Sequence, residues 1–248
     1  MKAMILAAGL GTRLRPLTDN KPKALVEIGG RTLLEIALKR LRASGIREVI
    51  VNVHHFGEMI VEYLRVNQNF GMRIEVSRED VLLDTGGGLK KAGWFFLEGN
   101  AAGDEPFLLH NVDVVSTIDF AKMAERHRLS GALATLAVRD RQTSRYLLFD
   151  ESGELCGRRA GRDRKEELVR PCVSAQPLAF CGIHVISTRL LRMIEQEGAF
   201  SIIETYLRLA ARGEKILAFR ADEFYWRDLG KPEDLSQASR DLELQLFS

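Results

Sequence analysis

The chain has 248 residues, 46% of them hydrophobic, and its 36 lysines and arginines nearly balance its 34 aspartates and glutamates, which leaves a net charge of +2. This length is enough to bury a substantial core, and we expect a single domain rather than two small ones. A net charge this small argues against nucleic acid or an anionic membrane as the main partner. The partner is therefore predicted to be a small molecule.

The cellular setting is indicated by the cysteines and the N-terminus. Cys156, Cys172 and Cys181 show no paired spacing and are typical of free thiols in a reducing compartment. Zinc binding by Cys172, Cys181 and His184 is an alternative, although this spacing matches no usual ligand pattern. No apolar run approaches the ~20 residues that cross a bilayer, and the N-terminal apolar stretch leads into glycine-rich sequence rather than a cleavage site. The sequence predicts a cytoplasmic protein.

Predicted strands and helices alternate in the first half of the chain. The N-terminal stretch KAMILAA is typical of a strand buried on both faces. Thr32 and Glu35 form a capping box at the start of a helix with apolar residues at helical spacing. Further strands are predicted at EVIVNV, RIEVS and PFLLH, with helices from Met59 to Arg65 and at LKKAGWFF between them. This alternation indicates βαβ units and a parallel sheet.

Beyond Gly131 the pattern changes, because the strands ALATLAVRD, RYLLFD and PLAFCGIHVIS are joined by turns or loops. Helices are then predicted at TRLLRMIEQ and SIIETYLRLAARG, strands at KILAFRA and FYWRDLG, and a last helix with Pro232 in its first position. The charged segment from Gly157 to Arg170 is predicted to be a solvated loop or, alternatively, a substrate-side flap whose arginines meet phosphate. We expect an α/β fold with a mixed, mostly parallel central sheet flanked by helices.

The first strand is followed by the glycine loop AAGLGTRL, which is not a dinucleotide-binding loop. Leu14 stands where that fingerprint requires its third glycine, and no phosphate-binding loop of the G-x-x-x-x-G-K-[ST] type occurs in the chain. What remains is a loop at the carboxyl end of a strand, where open α/β sheets bind their ligands. Gly9 and Gly11 can adopt positive φ and present backbone N–H groups to an anion.

Two cations accompany this loop. Arg13 carries a planar fork suited to phosphate oxygens. Pro16 and Pro22 stiffen the connection and deny it a helix, so Lys23 is delivered at a defined place. The loop is suited to a triphosphate, and Lys23 is a candidate for stabilising charge on a reacting phosphate.

LAAGLGTRLRPLT followed by PKAL resembles the signature of the sugar-1-phosphate nucleotidyltransferases, also called nucleotide-sugar pyrophosphorylases. The resemblance extends over nearly the whole chain, through VNVHH, LLDTGGGLKKA, LLHNVD, FCGIHVIS and WRDLGKPEDL. It is most marked to short members without a C-terminal β-helix, such as the N-acetylmuramate-1-phosphate uridylyltransferases, and looser to the mannose- and heptose-1-phosphate guanylyltransferases. The resemblance implies a Rossmann-like fold with the nucleotide bound over the first strand.

The same resemblance assigns roles to individual residues. It implies that Arg13, Lys23 and Asp113 are catalytic and that Asn111 and Gly182 bind the sugar. Residues 1–112 would form the nucleotide-binding half and residues 113–248 the sugar-binding half. The residues expected to bind the nucleotide are Ala8, Gly9, Gly11, Thr12, Arg13, Lys23, Thr85, Gly86 and Gly87, the last three in a DTGGG loop against base and ribose.

Magnesium is the expected cofactor, because joining two polyanions requires cations more than it requires an acid or a base. Mg²⁺ usually takes one or two carboxylates together with phosphate oxygens. Asp113 and Asp228 each follow a predicted strand, and both fall where the resemblance places metal ligands. The family motif Asn-Gly-Asp has Val112 in its middle position here, and we expect this side chain to crowd the approach of sugar or metal.

Several alternatives remain open on the sequence. The substrates are expected to be an NTP, UTP in preference to GTP, and a sugar 1-phosphate of the N-acetylmuramate or hexose type. Two other functions fit the sequence. One is that of a catalytically silent nucleotide-binding homologue, and the other is that of a transferase for a non-sugar phosphate such as phosphocholine. Trp226 lies close to Asp228 and either walls the sugar site or packs in the core. The protein is expected to be a monomer or a small homo-oligomer.

Overall fold

A computed structural model of the chain describes residues 1–98, 104–160 and 165–243. The helices of this described part are α1 (Leu33–Ala43), α2 (Gly57–Val66), α3 (Asp84–Leu97), α4 (Phe120–Ser130), α5 (Ile202–Ala211) and α6 (Pro232–Glu243). The strands are β1 (Ala3–Leu6), β2 (Glu27–Ile28), β3 (Arg31–Thr32), β4 (Glu48–Val53), β5 (Arg73–Arg78), β6 (Phe107–Asn111), β7 (Val114–Ser116), β8 (Ala134–Arg139), β9 (Tyr146–Phe149), β10 (Leu155–Ala160), β11 (Lys165–Leu168), β12 (Gln176–Ile186), β13 (Ile216–Arg220) and β14 (Trp226–Asp228). None of the described helices is long and apolar enough to span a lipid bilayer.

One mixed sheet forms the centre of the molecule. Its main path runs in the order β11, β10, β9, β12, β6, β1, β4 and β5, with β8 attached to β12 and β13 to β8. Parallel pairings join β6 to β1, β1 to β4 and β4 to β5, as the alternating first half of the sequence predicts. Antiparallel pairings of β12 with β6, β8 and β9 begin in the second half. The expected change from a parallel to a mixed sheet is confirmed.

Helices cover both faces of this sheet, so the fold has three layers. Alternate residues of β1 face opposite sides, with Ile5 in the core beneath α1, α2, α4 and α6 and Met4 in the core beneath α3 and α5. Both side chains are fully buried, as expected for a strand that is covered on both faces. The small sheet of β7 and β14 pairs Val114 with Asp228 and thereby connects the segment after β6 to a strand near the end of the chain.

The predicted capping signal at the start of α1 is confirmed. Thr32 Oγ1 accepts a hydrogen bond from the backbone N–H of Glu35 at 3.1 Å, which satisfies a donor that the first turn leaves free. Glu35 does not complete the reciprocal half of the box, because its carboxylate accepts from Tyr63 Oη on α2 and pairs with Lys39. The side chain thus joins α1 to α2 instead of closing its own helix end.

Two element predictions are corrected by the structure, and one helix was not predicted. The expected DTGGG loop forms the first turn of α3, which begins at Asp84. The segment TRLLRMIEQ forms only a 3-10 turn, Thr188–Met193, rather than an α-helix. Helix α4 was absent from the expectations, although Asp119 provides an N-cap whose Oδ1 accepts from Lys122 N at 3.0 Å.

The charged segment from Gly157 to Arg170 was predicted to be a loop, but its described part contains the antiparallel pair β10 and β11, of which β11 is the edge strand and β10 also pairs with β9. Opposite charges face each other across the pair, with Arg158 Nε 2.7 Å from Glu167 Oε2 and Arg159 paired with Glu166. Cross-strand ion pairs stabilise such an edge without an apolar face, so the alternation of apolar residues that predicts a strand is missing here. Residues 161–164 lie outside the described part.

Candidate active site

The glycine loop after β1 folds back against the segment that carries Lys23. Gly11 adopts a left-handed φ of 65°, and a Cβ atom there would lie 3.0 Å from Thr18 Cγ2 and 3.1 Å from Lys23 Cβ. Only glycine combines this φ with so close an approach. Gly9 was also expected at positive φ, but it does not adopt one; its position is open, with no atom within 4 Å of where a Cβ would lie. Thr12 and Arg13 continue into a 3-10 turn, Thr12–Leu14.

Four charged residues from distant parts of the chain meet beside this loop. Lys23 is 7% exposed and begins a short 3-10 turn after Pro22, and its Nζ donates to Asp113 Oδ2. A Cβ atom at Gly230 would lie 2.6 Å from Arg13 Nη2 and 2.8 Å from Asp228 Oδ1, so both groups lie against that glycine. The backbone N–H of Leu229 donates to the carbonyl oxygen of Asp113 at 2.8 Å, which holds the two aspartate segments together.

The electrostatics of this group follow from burial and proximity. Burial raises the pKa of Asp228, the neighbouring charge of Asp113 raises it further, and Lys23 and Arg13 oppose both effects. The backbone N–H of Gly230 also stabilises the carboxylate by donating to Oδ1 at 2.8 Å. Two neighbouring carboxylates whose charges repel each other favour the binding of a cation between them.

A cavity of about 380 Å³, which we name the loop cavity, opens at the carboxyl ends of β1 and β6. Its lining includes Ala8, Gly9, Lys23, Thr85, Asn111 and Asp113. Val112 also lines it, is 5% exposed and belongs to the core cluster under α1. Of the nine residues expected from the sequence to hold the nucleotide, Ala8, Gly9, Lys23 and Thr85 therefore line this cavity.

The glycines of the DTGGG motif mainly permit close packing. The backbone N–H groups of Gly86 and Gly87 donate to the carbonyl oxygen of Phe200 at 2.8 and 3.3 Å. A Cβ at Gly86 would collide with the Phe200 ring, and one at Gly87 with the Gly198 carbonyl oxygen. Neither glycine lines the loop cavity. Thr85 does line it, and its Oγ1 also accepts from the N–H of Ile202 at 3.0 Å at the start of α5.

A buried pair of polar residues that the sequence analysis missed supports this cavity. Asn52 Oδ1 accepts from the N–H of Ala7 at 2.7 Å, and Asn52 Nδ2 donates to Glu79 Oε1 at 2.7 Å. Glu79 Oε2 then accepts from the N–H of Leu83 at 3.0 Å. This chain of hydrogen bonds ties the end of β1 to the start of α3. The sequence signal for this buried polar pair is the single asparagine inside the apolar strand VIVNV.

A second opening of about 1190 Å³, which we name the long groove, lies on the other side of Asn111. Asn111 lines both openings, and Arg13 and Asp228 line the groove. Gly182 has a φ of 74°, and a Cβ there would lie 2.8 Å from Asn111 Nδ2, so the glycine makes room for the asparagine side chain. Trp226 lines the same groove, and its indole N–H donates to the carbonyl oxygen of Cys181 at 2.8 Å.

The zinc alternative is not supported. Cys156, Cys172 and Cys181 are free thiols, and the described residues contain no group of three or more histidine, cysteine, aspartate or glutamate side chains placed to hold a metal. His184 Nδ1 lies 2.8 Å from the hydroxyl of Tyr206 in the core. The two carboxylates of Asp113 and Asp228 do suit magnesium, because this ion usually binds one or two carboxylates and completes its shell with water and phosphate.

Comparison with known proteins agrees with this arrangement. The chain matches the Nucleotidyl transferase family over residues 2–245. The N-acetylmuramate alpha-1-phosphate uridylyltransferase of Caulobacter vibrioides is 34% identical over 237 residues, which cover 93% of this chain and 92% of that protein. The mannose-1-phosphate guanyltransferase of Yarrowia lipolytica is 31% identical over 94% of this chain, which spans only 62% of that protein.

The fold is shared with a solved structure. The crystal structure of HddC from Yersinia pseudotuberculosis complexed with GMP-PN has a TM-score of 0.75 to this chain at 20% identity, covering 97% of this chain and 99% of that one. The Rossmann-like fold and the family resemblance that the sequence predicts are thereby confirmed. The chain belongs to the nucleotidyl transferase family and is an enzyme of the sugar-1-phosphate nucleotidyltransferase class.

Proposed function

We propose that this enzyme transfers a uridylyl group from UTP to a sugar 1-phosphate of the N-acetylmuramate or hexose type and releases pyrophosphate. The observation that carries the proposal is the convergence of Arg13, Lys23, Asp113 and Asp228 where the loop cavity and the long groove meet. A reaction between two polyanions needs such a concentration of charge. The relative from Caulobacter vibrioides, whose name specifies a uridylyltransferase, supports the choice of UTP.

In this proposal the loop cavity holds the nucleotide. The backbone of Ala8, Gly9, Gly11 and Thr12 faces the triphosphate, and the open space over Gly9 allows a phosphate to approach the chain closely. Thr85 lines the opposite wall of the cavity, where base and ribose would lie. Gly86 and Gly87 contribute by letting the start of α3 pack against the segment that contains Phe200.

The long groove holds the sugar 1-phosphate, with Asn111 and Gly182 at the point where the two substrates meet. An oxygen of the sugar phosphate attacks the α-phosphorus of the nucleotide, the bond from that phosphorus to the bridging oxygen breaks, and pyrophosphate leaves with the electron pair. The attacking phosphate is already ionised at neutral pH, so no side chain is needed as a base. Lys23 and Arg13 neutralise the negative charge that develops on the phosphate oxygens.

Asp113 and Asp228 are the residues that would hold Mg²⁺. The ion, when bound, supplies positive charge to the phosphates and helps to align them. The protein itself positions the two carboxylates before any ion binds. Lys23 Nζ donates a hydrogen bond to Asp113, and the backbone N–H of Gly230 donates one to Asp228. The raised pKa of Asp228 agrees with a site prepared for a cation.

A guanylyltransferase acting on a mannose or heptose 1-phosphate is the second candidate. It is favoured by the guanyltransferase from Yarrowia lipolytica, which covers most of this chain at 31% identity. It differs from the first proposal only in the base and the sugar, because the phosphate chemistry is the same.

The test is a matrix of substrates. Purified protein with MgCl₂ is incubated with each of UTP, GTP, dTTP, CTP and ATP, combined with N-acetylmuramate, N-acetylglucosamine, glucose, mannose and heptose 1-phosphates and with phosphocholine. Pyrophosphate release is expected with UTP and a sugar 1-phosphate, and only when both are present. Preference for GTP with mannose or heptose 1-phosphate selects the second candidate, and phosphocholine as the sole acceptor overturns both. Silence across the whole matrix overturns the proposed activity.

The remaining parts of the proposal concern organisation. Residues 1–112 form the nucleotide half and residues 113–248 the sugar half, within a sheet that continues across both through the pairing of β6 with β12. The enzyme is a monomer or a small homo-oligomer in the cytoplasm, and light scattering of the purified protein measures which oligomer it is.

A further inference from the structure

The long groove carries more positive charge than the transfer reaction alone requires. Arg158 and Arg227 on its wall are paired with carboxylates, of Glu204 and Asp241 respectively. Within the described part of the chain, the groove residues Arg13, Arg141, Arg145 and Lys231 have no ion-pair partner. Arg13 lies beside Asp228, at the reacting end, which leaves the other cations without a role in the transfer step.

Arg141 is the most constrained of these cations. Its guanidinium carbon lies 4.6 Å from the centroid of the Trp226 ring, within the ~6 Å range of cation–π attraction. Among the described residues, its Nη atoms donate to the backbone carbonyl oxygens of Gln142 and Phe180 at 3.4 and 3.3 Å, and no carboxylate pairs with it. Both hydrogen bonds are long, so the charge of this guanidinium is left largely uncompensated in the groove that it lines.

A second arginine lies near the same ring. Arg139 lies 5.8 Å from the centroid of the same indole ring, and its Nε is buried without an acceptor. Two guanidinium groups around one half-buried ring repel each other, and among the described residues neither has a carboxylate partner. The Trp226 ring itself is held in place by its hydrogen bond to the Cys181 carbonyl oxygen. Both arginines thus lie near one fixed ring, and Arg141 is the one that lines the groove.

The position of Arg141 along the groove identifies the part of the substrate that it meets. Trp226 and Asp228 are two residues apart on β14, so their side chains point to the same side, roughly 6.6 Å apart along the strand. The intervening Arg227 instead pairs with Asp241. A phosphate that reacts beside Asp228 and Arg13 is thus separated from Arg141 by a distance comparable with one sugar ring.

We propose that Arg141, stacked on Trp226, binds a carboxylate carried by the sugar of the acceptor, so that the enzyme prefers acidic sugar 1-phosphates to neutral ones. This inference rests on the proposed function and narrows its acceptor. The planar guanidinium presents parallel N–H donors that match the two oxygens of a carboxylate. A neutral sugar leaves the charge of Arg141 without an anionic partner, and the charge-assisted hydrogen bonds that only a carboxylate accepts are the basis of discrimination.

The experiment compares acceptors that differ by one carboxylate. Wild-type enzyme is assayed with its preferred NTP on glucose and glucuronate 1-phosphates, and on N-acetylglucosamine and N-acetylmuramate 1-phosphates. In at least one pair, kcat/KM for the acidic member is expected to exceed that of the neutral member by about ten- to a hundredfold, mostly through KM. In Arg141→Gln this ratio falls towards one, and Arg141→Lys retains part of it. Because the ratio is taken within one variant, a partial loss of folded protein does not alter it.

Arg126→Gln is the matched control, since Arg126 is an exposed arginine on α4 that lines neither the loop cavity nor the long groove. It is expected to keep the wild-type ratio. Equal kcat/KM within both pairs for the wild type, or the same ratio in Arg141→Gln as in the wild type, overturns the inference while the transferase activity stands. Absence of turnover with all four sugar phosphates and every NTP instead overturns the proposed function, and the inference falls with it.

Discussion

Lys23 donates a hydrogen bond to the carboxylate of Asp113, although 90 positions separate the two residues in the chain. The pair is partly buried, with the lysine side chain 9% and the aspartate side chain 21% exposed. A buried ion pair is weak evidence for stability, because desolvation opposes the Coulomb attraction. The ion pair instead fixes the position of the carboxylate, because the lysine holds it in place. Both charges remain next to the cavity that would receive phosphate.

Removing one charge at this site is expected to abolish most of the turnover. Asp113→Asn and Asp228→Asn keep the size of the side chain but remove a carboxylate that would hold Mg²⁺, so each should lower kcat by at least about a hundredfold. Pyrophosphate release measured over a series of MgCl₂ concentrations checks this. Glu62→Gln, which removes an exposed carboxylate paired with Arg65 on α2, is the control and should leave kcat unchanged. An unchanged rate in either aspartate variant would remove that residue from the proposed metal site.

At the scale of the elements, the start of α3 shows why three consecutive glycines occur in a helix. Glycine weakens a helix interior by about 1 kcal/mol relative to alanine, so its presence needs a packing reason. A Cβ at Gly88 would lie 2.7 Å from Glu79 Oε1 and 2.8 Å from Asn52 Nδ2. These atoms belong to the buried hydrogen bonds that reach Ala7 at the end of β1. The helix start is therefore packed against the support of the loop cavity.

Two alanine substitutions in the same helix should have opposite effects. Gly88→Ala pushes a methyl group into the Asn52–Glu79 hydrogen bond and is expected to destabilise the protein by about 1–3 kcal/mol and to raise KM for the nucleotide. Gly93→Ala meets no atom closer than 3.7 Å, so it should be neutral or stabilising by up to about 1 kcal/mol. Urea unfolding and nucleotide KM are measured for both. Equal stability of the two variants would contradict the packing role of Gly88.

For the whole molecule, buried histidines link folding to pH. His127 on α4 is 3% exposed, and its Nδ1 lies 2.9 Å from Thr135 Oγ1 on β8. Burial lowers the pKa of His127 to about 4, with Asp104 opposing and Arg189 and Arg128 adding to the shift. Burial likewise lowers the pKa of His184 to about 3. In each case the folded protein holds the imidazole neutral at pH values where the unfolded chain already binds a proton.

The free energy of unfolding is therefore expected to fall as the pH decreases from about 6.5, the ordinary pKa of histidine, towards the lowered folded values. Each such histidine contributes a slope of at most ~1.4 kcal/mol per pH unit within this window and none above it. Urea unfolding at pH 7, 6 and 5 measures the slope for the wild type and for His127→Gln, which keeps a polar group near Thr135. The variant should show a shallower slope. Identical slopes would mean that His127 does not titrate on unfolding.

Much of the fold was predictable, because many of its signals are local. Apolar runs placed β1, β4, β5 and β6, and Thr32 and Pro232 marked the starts of α1 and α6 correctly. Two of the failures come from contacts made in the folded chain. The glycines of α3 are helical because Phe200 and Gly198 pack on them, and β10 and β11 form because charges pair across them. Neither contact leaves a periodic pattern in the sequence.

The candidate site likewise contains some residues that the sequence predicted and others that it did not. Arg13, Lys23, Asp113 and Asp228 were all predicted from their motifs, and Asn52 and Glu79 were missed because a buried polar pair has no fixed spacing. The stacking of Arg139 and Arg141 on Trp226 could not be predicted either. Arg139 and Arg141 lie at the end of β8 and in the loop after it, whereas Trp226 lies on β14.

The sequence by itself determined the family, and it predicted phosphate binding at the first loop and a metal at the two aspartates, because these signals depend on residue types at short spacings. Only the tertiary structure decided that Arg13 and Asp228 both lie against Gly230, that Asn111 lines both the loop cavity and the long groove, and that Arg141 lies over Trp226 in the groove. The physical reason is that these residues belong to distant segments, which the pairing of β7 with β14 and the hydrogen bond from the Leu229 N–H to the Asp113 carbonyl oxygen bring together without any local pattern.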